Sequence, residues 1–139
     1  MGETLKQRIT RHEGQRLKPY ADQLGKITIG VGRNLTDKGI SPTEMEILLD
    51  NDLSDAAAEV LFAFPWSSAL PPLAQEVMVE MCFQMGIRGL SEFTVTLGCL
   101  RSGNYFGASS HIRASVWAQQ TPVRANELAD LIKGLQPQT

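Results

Sequence analysis

The stretch RHEGQRLKPYADQLGKITIGVGRNLT, residues 11–36, decides the fold of this chain. In it a helical pattern ends at Glu13, just before Gly14, and a glycine-punctuated run of alternating β-branched residues follows. The pattern predicts a helix that leads into a small β-hairpin, with Asp22 in a loop and Thr28 on a strand. One short segment therefore gathers three oxygen-bearing side chains.

These three side chains form a candidate acid/base site. Cleavage of a glycosidic bond needs a proton donor for the leaving oxygen and a second carboxylate that acts on water or on the sugar. Glu13 and Asp22 can fill these roles, and the Thr28 hydroxyl can hold a water because it both donates and accepts hydrogen bonds. Such residues are common on soluble proteins, so their spacing alone leaves a solvated surface as the alternative.

The order of the motifs is more specific than the spacing. The stretch carries EG at 13–14, LK at 17–18, Tyr20, Asp22 and GKITIGVG at 25–32, and it is followed by FQMG at 83–86 and WAQQTPVRA at 117–125. This arrangement resembles the phage-type lysozymes, the muramidases of tailed phages typified by the T4 enzyme. The three separated motifs occur in the same order and cover most of the chain.

The predicted fold class is α+β, mainly α. We expect one lysozyme-like domain, residues 1–139, with two lobes: a small antiparallel β-hairpin lobe at about 15–40, a long connecting helix at about 42–64, and a helical lobe at about 71–134 that includes the N-terminal helix. Ser41, Pro42 and Glu44 predict the start of the connecting helix through a capping box, and Pro65 predicts its end.

Local patterns predict the remaining elements. Further helices are expected at residues 73–85, 91–101, 104–116 and 121–133. On the central strand, Ile27, Ile29 and Val31 are expected to share one face, which leaves Thr28 on the other with Gly30 and Gly32. Cys82 and Cys99 lie in apolar helical runs and are expected to be free thiols.

The resemblance implies a role for each matching residue. Glu13 becomes the general acid, and Asp22 with Thr28 positions the attacking water, which implies inversion at the anomeric carbon. Arg124 matches an arginine beside the catalytic glutamate, and Gly30 leaves room for a sugar beside Thr28. Four further positions match residues that line the sugar cleft: Asn34, Phe83, Thr96 and His111. For Phe83 and Thr96, simple core packing is the alternative.

The chain also departs from the T4-type pattern. That enzyme has Leu, Ser and Asn where this chain has Asn34, Thr96 and His111. It has a histidine where this chain has Arg33; the histidine pairs with an aspartate that matches Asp52, so a pair between Arg33 and Asp52 is expected. The small extra helix that precedes the connecting helix in the T4-type enzyme is absent.

The composition of the chain limits the kinds of partner and cofactor that it is expected to bind. A chain of 139 residues with a net charge of -2 has no basic excess of the kind that marks nucleic-acid binders. Two histidines and two cysteines without ligand spacing predict neither a metal nor another cofactor. The first ten residues have no signal-peptide pattern. We therefore expect a monomer without stable membrane association, held in the host cytoplasm until it is released to the cell wall.

The expected activity is hydrolysis of the β-1,4 bond between N-acetylmuramic acid and N-acetylglucosamine in peptidoglycan, by a phage or prophage endolysin that lyses the cell. The expected partner is the glycan strand. One alternative is a catalytically silent glycan-binding module, which would be expected to have lost Glu13 or Asp22. Another is a hydrolase of chitin or a related wall glycan, which the sequence does not exclude.

Overall fold

The structure is a computed structural model that describes residues 2–137; Met1, Gln138 and Thr139 of the predicted domain lie outside the described residues. The described part is 67% helical and holds seven α-helices and a three-stranded antiparallel sheet, which confirms the predicted α+β, mainly α class. The elements are α1 Leu5–Glu13, β1 Arg16–Ala21, β2 Ile27–Gly30, β3 Arg33–Asn34, α2 Pro42–Ala63, a 3₁₀ helix Pro65–Ala69, α3 Pro72–Ser91, α4 Thr94–Ser102, α5 Tyr105–Arg113, α6 Val116–Gln120 and α7 Pro122–Lys133.

The chain divides into two compact units, one up to Leu48 and one from Leu49 onward. The first unit contains α1, the sheet and the start of α2, and the second contains the rest of α2 and the remaining helices. No helix in the described residues is both long and apolar enough to cross a membrane.

Helix α1 begins at a capping box and ends where the sequence predicts. The Gln7 backbone N–H donates to Thr4 Oγ1 at 3.1 Å, and the Thr4 N–H donates to Gln7 Oε1 at 2.8 Å. At the other end Gly14 has φ +79°, in the region that glycine adopts most easily. Glu13 is thus the last helical residue, and the chain turns directly into β1.

The sheet has the order β1-β2-β3, with Thr28 at its centre. Thr28 is paired with Tyr20 on β1 and with Asn34 on β3, and its exposed fraction is only 5%. The strand is shorter than predicted because β2 ends at Gly30, whose φ of +69° cannot continue a strand. Val31 therefore lies beyond the strand, and the alternation that was expected to extend to it stops at Gly30.

Helix α2 starts and ends as predicted. The Ser41 N–H donates to Glu44 Oε1 at 2.8 Å and the Glu44 N–H donates to Ser41 Oγ at 3.1 Å, which completes the capping box. The helix runs to Ala63, and Pro65 then opens the short 3₁₀ helix, which the sequence analysis did not predict. Local chemistry thus determines both ends of this helix.

Arg33, which was expected to pair with Asp52, forms its ion pair with the capping residue Glu44. Arg33 Nη1 donates to Glu44 Oε1 at 2.8 Å and to the Gly39 carbonyl at 3.1 Å, and Arg33 Nη2 lies 2.7 Å from Glu44 Oε2. The Arg33 guanidinium thus contacts both the segment that joins β3 to α2 and the first turn of α2. Asp52 lies eight residues further along α2.

The helices of the second unit correct two predicted boundaries. The segment predicted as one helix at 104–116 is divided into α5 and α6, because Ser115 caps a new helix by accepting from the Ala118 N–H at 3.1 Å. Helix α3 extends to Ser91, but Gly86 has φ +77° and kinks it where its end was predicted. The predicted final helix is confirmed as α7.

The core of the second unit is built from α3, α4, α5 and α7. Its largest fully buried side chains are Val77, Met78, Met81, Leu90, Leu100, Ile112 and Ile132. Both cysteines are free thiols, as expected. Burial, reinforced by the nearby carboxylate of Glu59, raises the pKa of the Cys82 thiol above its ordinary value.

The ion pair at the start of α2 predicts a pH dependence of stability. The Arg33 guanidinium, followed by the backbone and side-chain donors of Ser41, lowers the pKa of Glu44 from 4.5 to about 2. A carboxyl group with a lowered pKa stabilises the fold above the unfolded value and loses that contribution as pH falls through the folded one. The melting-temperature difference between wild type and Glu44→Gln should therefore be largest near neutral pH and shrink as pH falls from 4.5 towards 2.

Glu46→Gln is the matched control for this measurement. Glu46 is exposed on the same helix and forms no ion pair among the described residues. Its replacement should leave the shape of the pH profile unchanged. A Glu44→Gln profile parallel to that of wild type would contradict the assigned ion pair.

Candidate active site

Glu13 presents its carboxyl group at the end of α1. The residue is exposed, and its side chain lies against the backbone of Gly32, in the turn between β2 and β3. A β-carbon added at Gly32 would be 2.8 Å from Glu13 Oε2. The carboxyl group is thus placed beside the turn that follows β2 and remains accessible from solvent.

Asp22 follows β1 and holds the turn to β2 with one of its two oxygens. Asp22 Oδ1 accepts from the Leu24 N–H at 2.9 Å and from the Lys26 N–H at 2.8 Å. Such side-chain bonds to the following backbone are typical of aspartate in turns. Because Oδ1 is occupied in this way and the residue is exposed, Oδ2 is the oxygen that can bind a solvent molecule.

The main-chain carbonyl of Lys26 connects Asp22 with Thr28. This oxygen accepts from the Asp22 backbone N–H at 2.9 Å and from Thr28 Oγ1 at 3.1 Å. Asp22 and Thr28 are therefore both hydrogen-bonded to the Lys26 carbonyl oxygen. Since the Thr28 hydroxyl donates its only proton to this carbonyl, its oxygen is left as an acceptor for another donor.

The two carboxylates occupy opposite ends of β2. Asp22 and Thr28 meet at Lys26, just before the strand, whereas Glu13 lies beside Gly32, just after it. The strand has four residues, and each contributes about 3.3 Å of length. This arrangement separates the two carboxylates while it keeps all three predicted catalytic residues in the first unit.

Three other predicted residues of the first unit line one surface cavity of about 1110 Å³: Gly30, Arg33 and Asn34. Asn34 faces Thr28 across the sheet, but its amide is already engaged. Asn34 Nδ2 donates to Asp37 Oδ2 at 3.0 Å, and Asn34 Oδ1 accepts from the Asp37 N–H at 3.0 Å. A sugar contact at Asn34 stays a prediction, and it would have to compete with these bonds.

In the second unit, Thr96 and His111 line a cavity of about 520 Å³, together with Trp117 and Gln120. Thr96 is only 3% exposed, which favours the packing interpretation for this residue, whereas His111 is exposed. Phe83 is 41% exposed and lines a different cavity, which it shares with Asp52. The structure thus brings two of these residues together and leaves Phe83 apart from them.

Arg124 has a partner that the sequence analysis did not single out. Its Nε donates to Glu80 Oε2 at 2.7 Å, and both side chains are partly exposed. The two residues are 44 positions apart, so no local pattern could have paired them. The contact with Glu13 that the resemblance implies for Arg124 stays a prediction.

Comparison with known proteins places the chain in a family. The model of the phage lysozyme family matches residues 10–133, so the chain belongs to the phage lysozyme family, a group of lysozyme-type hydrolases of peptidoglycan. It is 24% identical over 163 aligned positions to the probable T4-type lysozyme 1 of Dictyostelium discoideum, across 96% of this chain and 95% of that protein. The resemblance inferred from the sequence is confirmed.

Two further relatives are similar over nearly all of this chain. The probable T4-type lysozyme 2 of Dictyostelium discoideum is 26% identical over 162 aligned positions, which span 96% of this chain and 95% of that protein. The pre-baseplate central spike protein of Enterobacteria phage T4 is 28% identical over 157 positions, which are 93% of this chain but only 27% of that protein. The similarity thus extends to one segment of a much longer protein.

Asp22 Oδ1 holds the turn by accepting two backbone hydrogen bonds, so two variants at this position should differ in stability. Asparagine keeps an Oδ1 that can accept from Leu24 and Lys26, whereas alanine removes both hydrogen bonds, at about 0.5–1.5 kcal/mol each. Asp22→Asn should therefore melt close to wild type, and Asp22→Ala should be less stable by roughly 1–3 kcal/mol. Denaturant unfolding at neutral pH measures both; equal losses would show that Oδ1 does not hold the turn.

Proposed function

We propose that this chain is an inverting muramidase, which hydrolyses the β-1,4 bond between N-acetylmuramic acid and N-acetylglucosamine. Glu13 is the general acid, and Asp22 with Thr28 positions the attacking water. The observation that carries the proposal is the arrangement around β2: Asp22 and Thr28 are both hydrogen-bonded to the Lys26 carbonyl just before the strand, and the accessible Glu13 carboxyl group lies just after it. Membership of the phage lysozyme family supports the substrate class.

The hydrogen bonds of Asp22 and Thr28 suit a water nucleophile. Thr28 Oγ1 gives its proton to the Lys26 carbonyl, and Asp22 Oδ1 is occupied by backbone N–H groups. A water that donates one hydrogen to Thr28 Oγ1 and the other to Asp22 Oδ2 then presents a lone pair to the sugar. As this lone pair attacks the anomeric carbon, Asp22 takes up the proton that the water loses.

The position of Glu13 suits proton donation to the leaving oxygen. Inverting glycosidases hold their two carboxyl groups about 6.5–9.5 Å apart, which leaves room for water, whereas retaining enzymes hold them at about 5–5.5 Å. The placement of Glu13 and Asp22 at opposite ends of a four-residue strand supports the wider separation. Attack from the Asp22 side while Glu13 protonates the opposite side inverts the anomeric carbon.

The remaining predicted residues are proposed to bind the glycan or support the site. Gly30, with no side chain, leaves room beside Thr28, and the exposed Phe83 and His111 offer an apolar face and a polar ring. Arg124 is proposed to support Glu13. Asn34 is also proposed to contact the glycan, and Arg33 and Asp52 are proposed to support the site, whereas the burial of Thr96 favours packing.

We further propose a role in cell lysis, as an endolysin of a phage or prophage. The protein would remain in the host cytoplasm until the membrane is breached and would then act on the cell wall as a monomer. This role is tested by producing the chain inside a Gram-negative bacterium: turbidity should stay constant until a membrane-permeabilising agent is added and should then fall. Lysis without the agent would contradict the proposed confinement.

The acid role of Glu13 predicts the effect of an isosteric substitution. Glu13→Gln keeps the shape of the side chain but removes the proton that it donates, and general acid catalysis contributes about 10²–10⁴ in rate. Clearing of permeabilised cells should therefore slow by at least about 10²-fold. Glu76→Gln, at an exposed position in α3, is the control and should clear cells at the wild-type rate.

Two readings decide this experiment. Circular dichroism and the melting temperature should be the same for Glu13→Gln and wild type, because the substitution changes an exposed side chain. Clearing by Glu13→Gln at the wild-type rate would remove Glu13 from the mechanism, and wild-type protein that fails to clear would argue against the proposed activity.

The proposed chemistry also predicts the products. Purified peptidoglycan should release fragments with N-acetylmuramic acid at the new reducing end, identified by mass spectrometry after borohydride reduction. NMR spectra recorded immediately after addition of enzyme should show the α-anomer first, because inversion converts a β-linkage. A first-formed β-anomer would exclude the inverting mechanism, and a reducing-end N-acetylglucosamine would exclude a muramidase.

A further inference from the structure

Among the described glycines, Gly32 alone combines a positive φ with a side chain that an added β-carbon would meet. Its φ is +71°, and a β-carbon added there would be 2.8 Å from Oε2, 3.0 Å from Cδ and 3.2 Å from Cγ of Glu13. Real β-carbons essentially never approach a heavy atom to less than 3.0 Å. Oε2 of Glu13 therefore lies in the space that a β-carbon at position 32 would fill, and Cδ and Cγ would be in tight contact with it.

Other glycines with a positive φ do not have such a neighbour. Gly39 has φ +66° and Gly103 has φ +81°, and an added β-carbon at either position would meet no heavy atom within 4 Å. At these positions the backbone conformation alone accounts for glycine. At Gly32 the carboxyl side chain of Glu13 adds a second and independent requirement.

We propose that Gly32 is a positioning residue for Glu13: because Gly32 has no side chain, the Glu13 carboxyl group can pack directly against its backbone. This inference relies on the proposed role of Glu13 as general acid. A side chain at position 32 moves the end of Glu13, which is free to rotate, so the main effect is on the place of the acid rather than on the fold. A displacement of about 1 Å in a reacting group can cost about 10²-fold in rate.

The test compares Gly32→Ala with Gly103→Ala. Both substitutions put alanine into a left-handed backbone conformation, but only the first meets Glu13. We expect kcat on soluble peptidoglycan fragments to fall about 10²-fold for Gly32→Ala with little change in KM, and to stay at the wild-type value for Gly103→Ala. Comparable kcat values for the two variants would overturn the proposal.

A spectroscopic reading separates this inference from the proposed function. The ¹³C resonance of the Glu13 side-chain carboxyl carbon is assigned by its absence in Glu13→Gln. It should shift in Gly32→Ala and stay in place in Gly103→Ala, whether or not the wild-type protein cleaves peptidoglycan. An unshifted resonance in Gly32→Ala would overturn the positioning role even if the protein is an active muramidase.

A background substitution covers the case in which Gly32→Ala does not fold. Glu13→Ala removes the atoms that an alanine at position 32 would meet. If the double variant folds where Gly32→Ala alone does not, the contact with Glu13 is the cause and the proposal stands. If neither folds, the backbone conformation explains the failure, and the proposal is overturned.

Discussion

The carbonyl oxygen of Lys26 is the atom on which the candidate site depends. It accepts from the Asp22 backbone N–H and from the Thr28 hydroxyl, so the turn before β2 and the buried centre of the sheet are tied to one point. This arrangement fixes the hydrogen bonds of both side chains. The Thr28 hydroxyl donates to the Lys26 carbonyl, and Asp22 Oδ1 accepts from the Lys26 N–H. The atoms that remain available are two acceptors, which is what an attacking water requires.

Glu13 is held by different means from those that hold Asp22. The Asp22 side chain is fixed by two hydrogen bonds from backbone N–H groups. The Glu13 side chain is instead positioned by the end of α1 and by its packing against Gly32, which has no side chain. This difference suits the two proposed roles. The group that orients water needs fixed directions, and the group that gives up its proton needs an accessible carboxyl end.

The two arginines singled out from the family resemblance each form an ion pair inside their own unit. Arg33 binds Glu44, the capping residue of α2, and Arg124 binds Glu80 on α3. At Arg33 the start of α2 already presents the Glu44 carboxylate, whose two oxygens both contact the guanidinium, so this nearby group takes the cation. Matching of positions to the T4-type pattern could identify these arginines as charged supports, but it could not select their partners.

The sequence by itself determined the features that depend on neighbours a few residues away. These include the end of α1 at Glu13, the capping box between Ser41 and Glu44, the stop at Pro65 and the succession of Asp22 and Thr28 along one hairpin. Only the tertiary structure decided which residues are buried and which distant atoms meet: the near-complete burial of Thr28, the packing of Glu13 against Gly32 and the pair between Glu80 and Arg124. The physical reason is range, because caps and turns are chosen by bonds within about four residues, whereas burial and long-range contacts exist only once separate elements have packed.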